Sequence, residues 1–269
     1  MKKLLVFFFT LSLAFLSRAQ SSVDTLNKKE IKANADDPSQ FLTRVEIFSE
    51  WQHYGNDIDI NQTVFRAIVK FRKRFTTRID IPYVHNSYAA PGHAGSSGMG
   101  DISFRLLGYQ VIQKPLSAIT ASVEVSLNTA GSPLLGTGKN LVIPVVTYSR
   151  ILKKTKTVLS IVGQQTNAIS GDKNRANVSF SKLQVIVIQT LSPKSWIVIA
   201  PECYVDYVHG GVSMNMRSRL AYAPIRRVNI WITPSVGIFG DFIQRYQWSL
   251  DIGGRYFLFR NEKMKKSNV

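Results

Sequence analysis

The chain has one cysteine, Cys203, so no internal disulfide can form. Past residue 16 it also lacks any apolar run approaching the ~20 residues that a membrane-crossing helix needs, which excludes a helical membrane protein by the usual reading. An exported protein of this size without a disulfide framework must be held together by a packed core or a closed sheet. With 45% hydrophobic residues and a mean hydropathy near zero, two classes stay open. One is a secreted soluble protein. The other is a membrane β-barrel, whose alternating strands escape a hydropathy window.

Acidic residues are scarce as well, 17 against 34 Lys plus Arg, for a net charge of +17. Such an excess can mean nucleic acid or an anionic surface, and the position of the charges decides between them. No aromatic-interleaved basic platform is present, so nucleic acid is not expected as a partner. The four histidines, His53, His85, His93 and His209, all fall in or beside expected outer loops. No Ser-x-Gly nucleophile elbow, His-Glu-x-x-His motif or acidic dyad accompanies them, so a rim enzyme is disfavoured and no catalytic residue is assigned. His85 and His93 share a loop but are read as solvated, and neither metal nor cofactor is expected. Cys203 is read as a small apolar side chain packed in its strand.

The opening "MKKLLVFFFTLSLAFLSRAQ" places Lys2 and Lys3 before an apolar stretch, Leu4 to Leu16, then Ser17, Arg18 and Ala19. This is the order of a secretory signal peptide, with cleavage expected after Ala19. Removal of Lys2, Lys3 and Arg18 takes the charge from +17 to +14. Residues 20–40 are polar and read as a periplasmic lead-in. Residues 41–260 read as barrel, and 261–269 as a basic C-terminal tail.

Twelve strand-like runs follow, at 41–51, 61–72, 74–84, 100–113, 117–128, 140–152, 156–166, 178–190, 195–206, 213–223, 228–239 and 245–259. Most exceed the ~5 to 6 residues usual in globular sheets and suit tilted strands crossing a bilayer. Their connections alternate. One set is short and basic: "RKR", "QKPLS", "KKTK", "SPKS" and "PIRR". The other is usually longer and polar or glycine-rich, such as "HNSYAAPGHAGSSGMG" and "AGSPLLGTGK". An even strand number, short turns at one end and longer loops at the other are the pattern of an all-β, transmembrane, antiparallel up-and-down barrel in an outer membrane. The basic turns then face the periplasm.

Period-two alternation assigns two faces. Ile119, Ala121, Val123, Val125 and Leu127 oppose Thr120, Ser122, Glu124, Ser126 and Asn128, and the tenth and last runs behave alike. Alternation alone does not say which face meets water; a lipocalin-like soluble ligand-binding barrel would turn the apolar set inward. Two features favour apolar outside. The polar face carries both signs of charge, suiting a hydrated lumen lined by Arg66, Arg78, Asp80, Arg105, Glu124, Lys182, Glu202, Arg217, Arg219, Asp251 and Arg255. Aromatics gather at run ends (Trp51, Tyr54, Tyr83, Trp196, Tyr204, Tyr207, Tyr222, Tyr256, Phe259), as interfacial girdles would require.

The blocks "SSGMGDISFRLLGY" and "LNTAGSPLLGTGKNLVIPVVTYS" resemble an exported β-barrel family labelled the putative MetA pathway of phenol degradation. The family pattern falls on Gly98, Gly100 and Asp101, and on Leu135, Gly136, Gly138 and Lys139, and the likeness covers roughly residues 37 to 150. "LNTAGSP" departs from the Pro-Thr-Gly more usual there, and the chain runs on past its last aromatic strand. The resemblance implies uptake of small solutes, hydrophobic or aromatic ones among them, and no enzyme. Independently of it, the four glycines permit positive φ where loop becomes strand, and Asp101 and Lys139 stand where they could tie loop backbone or each other. The two loops are expected to fold inward at the lumen mouth. Expected partners are outer-membrane lipid and lipopolysaccharide, the barrel-assembly machinery and a small-molecule solute. A structural or adhesive barrel with a plugged lumen is the competing function, since lumens of about eight strands are already closed by their own side chains.

Overall fold

A computed structural model describes residues 36–55, 58–72, 74–87, 95–240 and 246–258. The expected signal peptide, the lead-in up to residue 35, His93, Phe259 and the basic tail lie outside the described residues.

Thirteen strands form: β1 (Arg44–Gly55), β2 (Ile58–Arg72), β3 (Phe75–Asn86), β4 (Ser96–Met99), β5 (Ser103–Gln113), β6 (Ser117–Ser126), β7 (Lys139–Leu152), β8 (Thr157–Gly171), β9 (Ser179–Thr190), β10 (Ser195–Asp206), β11 (Val212–Ile225), β12 (Val228–Phe239) and β13 (Trp248–Phe257). Every pairing is antiparallel, and β1 pairs with both β2 and β13, so the sheet closes on itself. Two strands share one place in the wall: β4 pairs with β3 over Tyr83–Asn86 and β5 with β3 over Phe75–Asp80. The wall is therefore twelve-stranded, an all-β up-and-down barrel. Closure pairs the backbone groups that an open edge would expose, which is what a strand-built wall in lipid demands.

The short basic connections at 72–75, 113–117, 152–157, 190–195 and 225–228 share one end with both ends of the barrel segment. There the Leu258 amide donates to the Thr43 carbonyl at 3.2 Å. The longer loops occupy the other end.

The faces are inverted relative to a water-soluble barrel. Ile47, Phe65, Val146, Leu183, Leu220, Ile230 and Ile252 are exposed, while Thr76, Ser160, Thr166, Ser213, Asn215 and Asp251 are buried. Water-filled surroundings would favour the opposite arrangement.

In β5 the alternation slips. A register shift between Arg105 and Leu107 leaves Leu106 and Leu107 both exposed, at 61% and 44%. Beyond this bulge the parity reverses, as an inserted residue requires. Gly108 and Gln110 turn inward and are buried, while Tyr109, grouped by parity with Asp101, Ser103 and Arg105, turns to the other side, where its ring lies 4.9 Å from that of Phe75.

Gly253 marks a tight point of the inner wall. A β-carbon there would come within 2.4 Å of Trp231 Cζ2 and 2.5 Å of Phe48 Cβ. Overpacking of this kind costs about 1–3 kcal/mol. Gly253→Ala should therefore lower the temperature at which the unboiled, fast-migrating form of the barrel disappears on SDS gels, whereas Gly163→Ala, with open space at its β-carbon, should not.

Candidate functional site

The interior of the barrel is the candidate site, and it is assembled by register. Glu124 on β6 lies between two arginines, 2.7 Å from Arg105 Nη2 and 2.6 Å from Arg78 Nη2. Arg78 continues to Asp80 at 3.2 Å, and Asp80 takes a bidentate pair from Arg66 at 2.8 and 2.9 Å. Arg66 reaches Glu46 at 3.7 Å, and Glu46 also holds Arg44 at 2.6 Å and Arg255 at 3.6 Å. On the far side Asp251 pairs with Arg219 at 3.1 Å and Arg217 at 3.6 Å, and Arg217 with Glu50 at 3.3 Å. Alternating charges thus run around two-thirds of the inner wall, from β6 through β1 to β11. Largely buried charges survive only when paired in this way.

Nine of the eleven residues read as lumen-lining belong to this ladder. The other two do not. Glu202 accepts from Gln184 Nε2 at 2.7 Å and the Tyr204 hydroxyl at 2.8 Å, and Lys182 forms no ion pair among the described residues. Arg44, Glu46 and Glu50 were missed, although they share one parity of β1 opposite Val45, Ile47 and Trp51. The same alternation rule would have found them.

Beside the ladder the inner wall mixes buried polar side chains, among them Thr147, Ser149, Ser160 and Thr166, with apolar ones. Val158, Ile188, Trp196, Val198, Ala221 and Trp231 form a buried cluster, with Phe48, Ile151, Ile186 and Ala223 packed against it. Register adds Ile143 and Val145, which lie opposite the inward Glu124 and Ser122. This corrects three girdle assignments, the first two being Trp196 and Tyr204, which are buried inside, whereas Trp51, Tyr83, Tyr207, Tyr222 and Tyr256 are exposed. Tyr54 also turns inward, its hydroxyl 2.9 Å from Gln52 Oε1. The runs 140–152, 156–166, 178–190 and 195–206 are apolar at both parities over much of their length, so alternation could not tell their faces apart.

The end of the polar lead-in enters the mouth at the short-turn end of the barrel. Asp37 caps its own turn by accepting from the Ser39 amide at 2.9 Å and hydroxyl at 2.8 Å, and Ser39 O accepts from Gln110 Nε2 at 2.8 Å. Between this segment and the 113–118 turn lies a cleft of about 320 Å³. Asp36 reaches deeper: its carboxylate is 2.8 Å from both Arg219 Nη1 and Arg255 Nη2 and accepts the Trp196 indole N–H. Burial alone would raise the Asp36 carboxyl, but Arg255, Arg219 and the indole outweigh it and hold it below the ordinary carboxylate range. No sequence signal marks Asp36; its partners lie 160 to 219 residues away.

At the outer end Asp101 ties down the β6–β7 loop. Its Oδ1 accepts from the Thr129 and Ala130 amides at 3.1 Å each, and its Oδ2 from the Thr137 amide at 2.7 Å and hydroxyl at 3.0 Å. Leu135 is thereby buried against the inner side of β3 and β4, where Asn86 Nδ2 donates to Leu134 O at 3.0 Å. Lys139 does not meet Asp101; its Nζ donates to the Asp172 carbonyl at 2.7 Å. Of the four loop glycines only Gly138 has positive φ, at 71°. Gly98, Gly100 and Gly136 are needed for another reason, close approach: β-carbons there would lie 3.1 Å from Leu135 Cδ1, 2.9 Å from Val84 Cγ2 and 2.6 Å from the Asp101 carboxylate.

The histidines find separate partners: His53 with Asp59 at 2.7 Å, His85 with Ser97 at 2.6 Å and His209 with Asp206 at 2.9 Å. Among the described residues no three metal-ligating side chains come together.

A closed twelve-stranded antiparallel wall, apolar outside and ion-paired within, defines a β-barrel of the outer-membrane type. The fold is similar to that of the COG4313 outer membrane channel from Pseudomonas putida F1, with a TM-score of 0.66 and 13% identity over 83% of this chain and 99% of that one. It is also similar to the NanC porin, at TM-score 0.57 and 11% identity over 80% of this chain and all of that one. A third likeness is to the KdgM porin, solved in complex with disordered oligogalacturonate, at TM-score 0.54 and 10% identity over 80% of this chain and 99% of that one. No family model and no curated protein matches the sequence.

Proposed function

We propose that the protein is an outer-membrane barrel that carries small solutes passively across that membrane, through a lumen narrowed by its own ion pairs and loops. The observation that carries this reading is the inversion of the wall: an exposed apolar exterior suits hydrocarbon, while the interior holds charges and small clefts that suit a solvated path. The likeness in fold to two porins and a channel agrees with it. The resemblance to the phenol-degradation barrels extends the reading to small hydrophobic or aromatic solutes and adds no enzyme chemistry. Lipid and lipopolysaccharide would then surround the exterior, and the barrel-assembly machinery would insert it.

Passage is tested by reconstitution into planar bilayers, with Asp101 as the handle. Asp101→Ala removes the four hydrogen bonds that Asp101 accepts from the 129–137 loop, each to a charged acceptor and worth about 1.5–3 kcal/mol, and leaves only neutral acceptors at Thr129, Leu134 and Gly136. The released loop should raise single-channel current and become sensitive to protease, with the barrel itself still resistant to SDS before boiling. Equal currents in wild type and variant would remove the loop from the lumen mouth. One observation favours a second reading, a plugged structural or adhesive barrel: Asp36–Phe41 sit in the periplasmic mouth with Asp37, Ser39 and Phe41 buried. Bilayers sealed at high protein load with both proteins would select it.

A further inference from the structure

We propose that the cradle formed by Arg219, Arg255 and the Trp196 indole is a carboxylate-binding site of the lumen, occupied here by the chain's own Asp36, and that the solute it accepts is a small monocarboxylate with an apolar body. The inference deepens the channel reading and rests on it for the route by which solute arrives.

The cradle is built before any carboxylate enters. The guanidinium carbons of Arg219 and Arg255 lie 4.8 and 4.5 Å from the centre of the Trp231 ring, which fixes both cations by cation–π contact. Trp231 is fixed in turn by donating from Nε1 to Asp251 Oδ1 at 3.0 Å. Two guanidiniums and an indole N–H converging on one carboxylate form a set of charge-assisted donors that any solute carboxylate would satisfy equally well.

Asp36 is not part of the wall. It arrives on a segment that precedes β1, and its withdrawal breaks no strand pairing. With Asp36 in place, Arg44, Arg66, Arg78, Arg105, Arg217, Arg219 and Arg255 face the six carboxylates of Asp36, Glu46, Glu50, Asp80, Glu124 and Asp251. Without it the excess of arginines over the carboxylates they pair with grows from one to two, and an anion is the species that reduces it.

The shape of the site specifies the rest of the ligand. Beside Asp36 a cleft of about 110 Å³ has Arg217, Arg219 and Thr233 on one side and Ile186, Val198 and Ala200 on the other. A carboxylate head in the cradle places its body against those three apolar side chains. A neutral solute would leave the arginines uncompensated, and a dicarboxylate would press a second charge on the apolar side.

Calorimetry on the purified full-length protein in detergent tests this, with benzoate as probe and benzamide as its neutral counterpart. Asp36→Asn removes the internal competitor and should bind benzoate about tenfold more tightly than wild type, because the competent fraction of the site rises. Asp37→Asn, whose carboxylate accepts from Ser39 and Gln40 and touches neither arginine of the cradle among the described contacts, should match wild type, and Arg219→Gln added to Asp36→Asn should abolish the gain. A second readout needs no change at Asp36: with Ser39→Cys in a Cys203→Ser background, benzoate but not benzamide should speed thiol labelling of the buried position 39. Benzoate binding no tighter in Asp36→Asn than in wild type, benzamide equal to benzoate, or labelling indifferent to benzoate would each overturn the proposal. Since binding in detergent needs no conduction, benzoate binding by a protein that seals bilayers would sink the channel reading and keep the site, whereas conduction without benzoate binding would do the reverse.

Discussion

Glu124→Ala should destabilise the barrel by about 3–5 kcal/mol, because it strands two largely buried guanidiniums at once. Arg78 and Arg105 expose only 14% and 20% of their side chains, so water cannot replace the carboxylate they share. Asp80 can still serve Arg78, at 3.2 Å, but no other carboxylate pairs with Arg105 among the described residues. Glu124→Gln keeps an acceptor without the charge and should fall between. Lys182→Ala, at an inward position with no ion pair among the described residues, should cost least. Urea titration of refolding into vesicles, read by the unboiled band on gels, ranks the three. If Glu124→Ala and Lys182→Ala behave alike, the ladder does not organise the barrel.

The second large effect separates lipid from water. Ile232 is 41% exposed in the middle of β12. An arginine there costs about 2–4 kcal/mol if the position lies near the bilayer midplane and about 0–1 kcal/mol near an interface. Ile232→Arg should therefore impair insertion into vesicles strongly, and Tyr222→Arg, toward the short-turn end of β11, only slightly. A soluble barrel predicts the opposite sign, since replacing an exposed isoleucine by a charge in water is neutral or improves solubility. Recovery of Ile232→Arg in a soluble fraction, fully folded, would overturn the membrane reading. The same pair of variants leaves the interior untouched, so it reports on the exterior alone.

Alternation of two residue types along ten to fifteen positions is a local property, and it determined a great deal. It gave the twelve wall strands, the kinds of turn at either end, and the inward face wherever one parity is charged, as in β3, β6, β11 and β13. Asp101 was legible too, since a carboxylate beside a glycine turn has few roles other than tying backbone. Tertiary structure decided the rest, for three physical reasons. A single inserted residue at Arg105/Leu107 reverses the side chains of β5 until a second shift at Gln110/Ile112 restores them, and a pair of leucines does not announce it. Strands apolar at both parities over much of their length, such as β7 to β10, carry a weak facing signal, so the apolar cluster of the lumen and the inward turn of Trp196 emerged only from cross-strand register. Asp36 meets Arg219 and Arg255 across 183 and 219 residues, and only closure of the wall brings such distant side chains to one point.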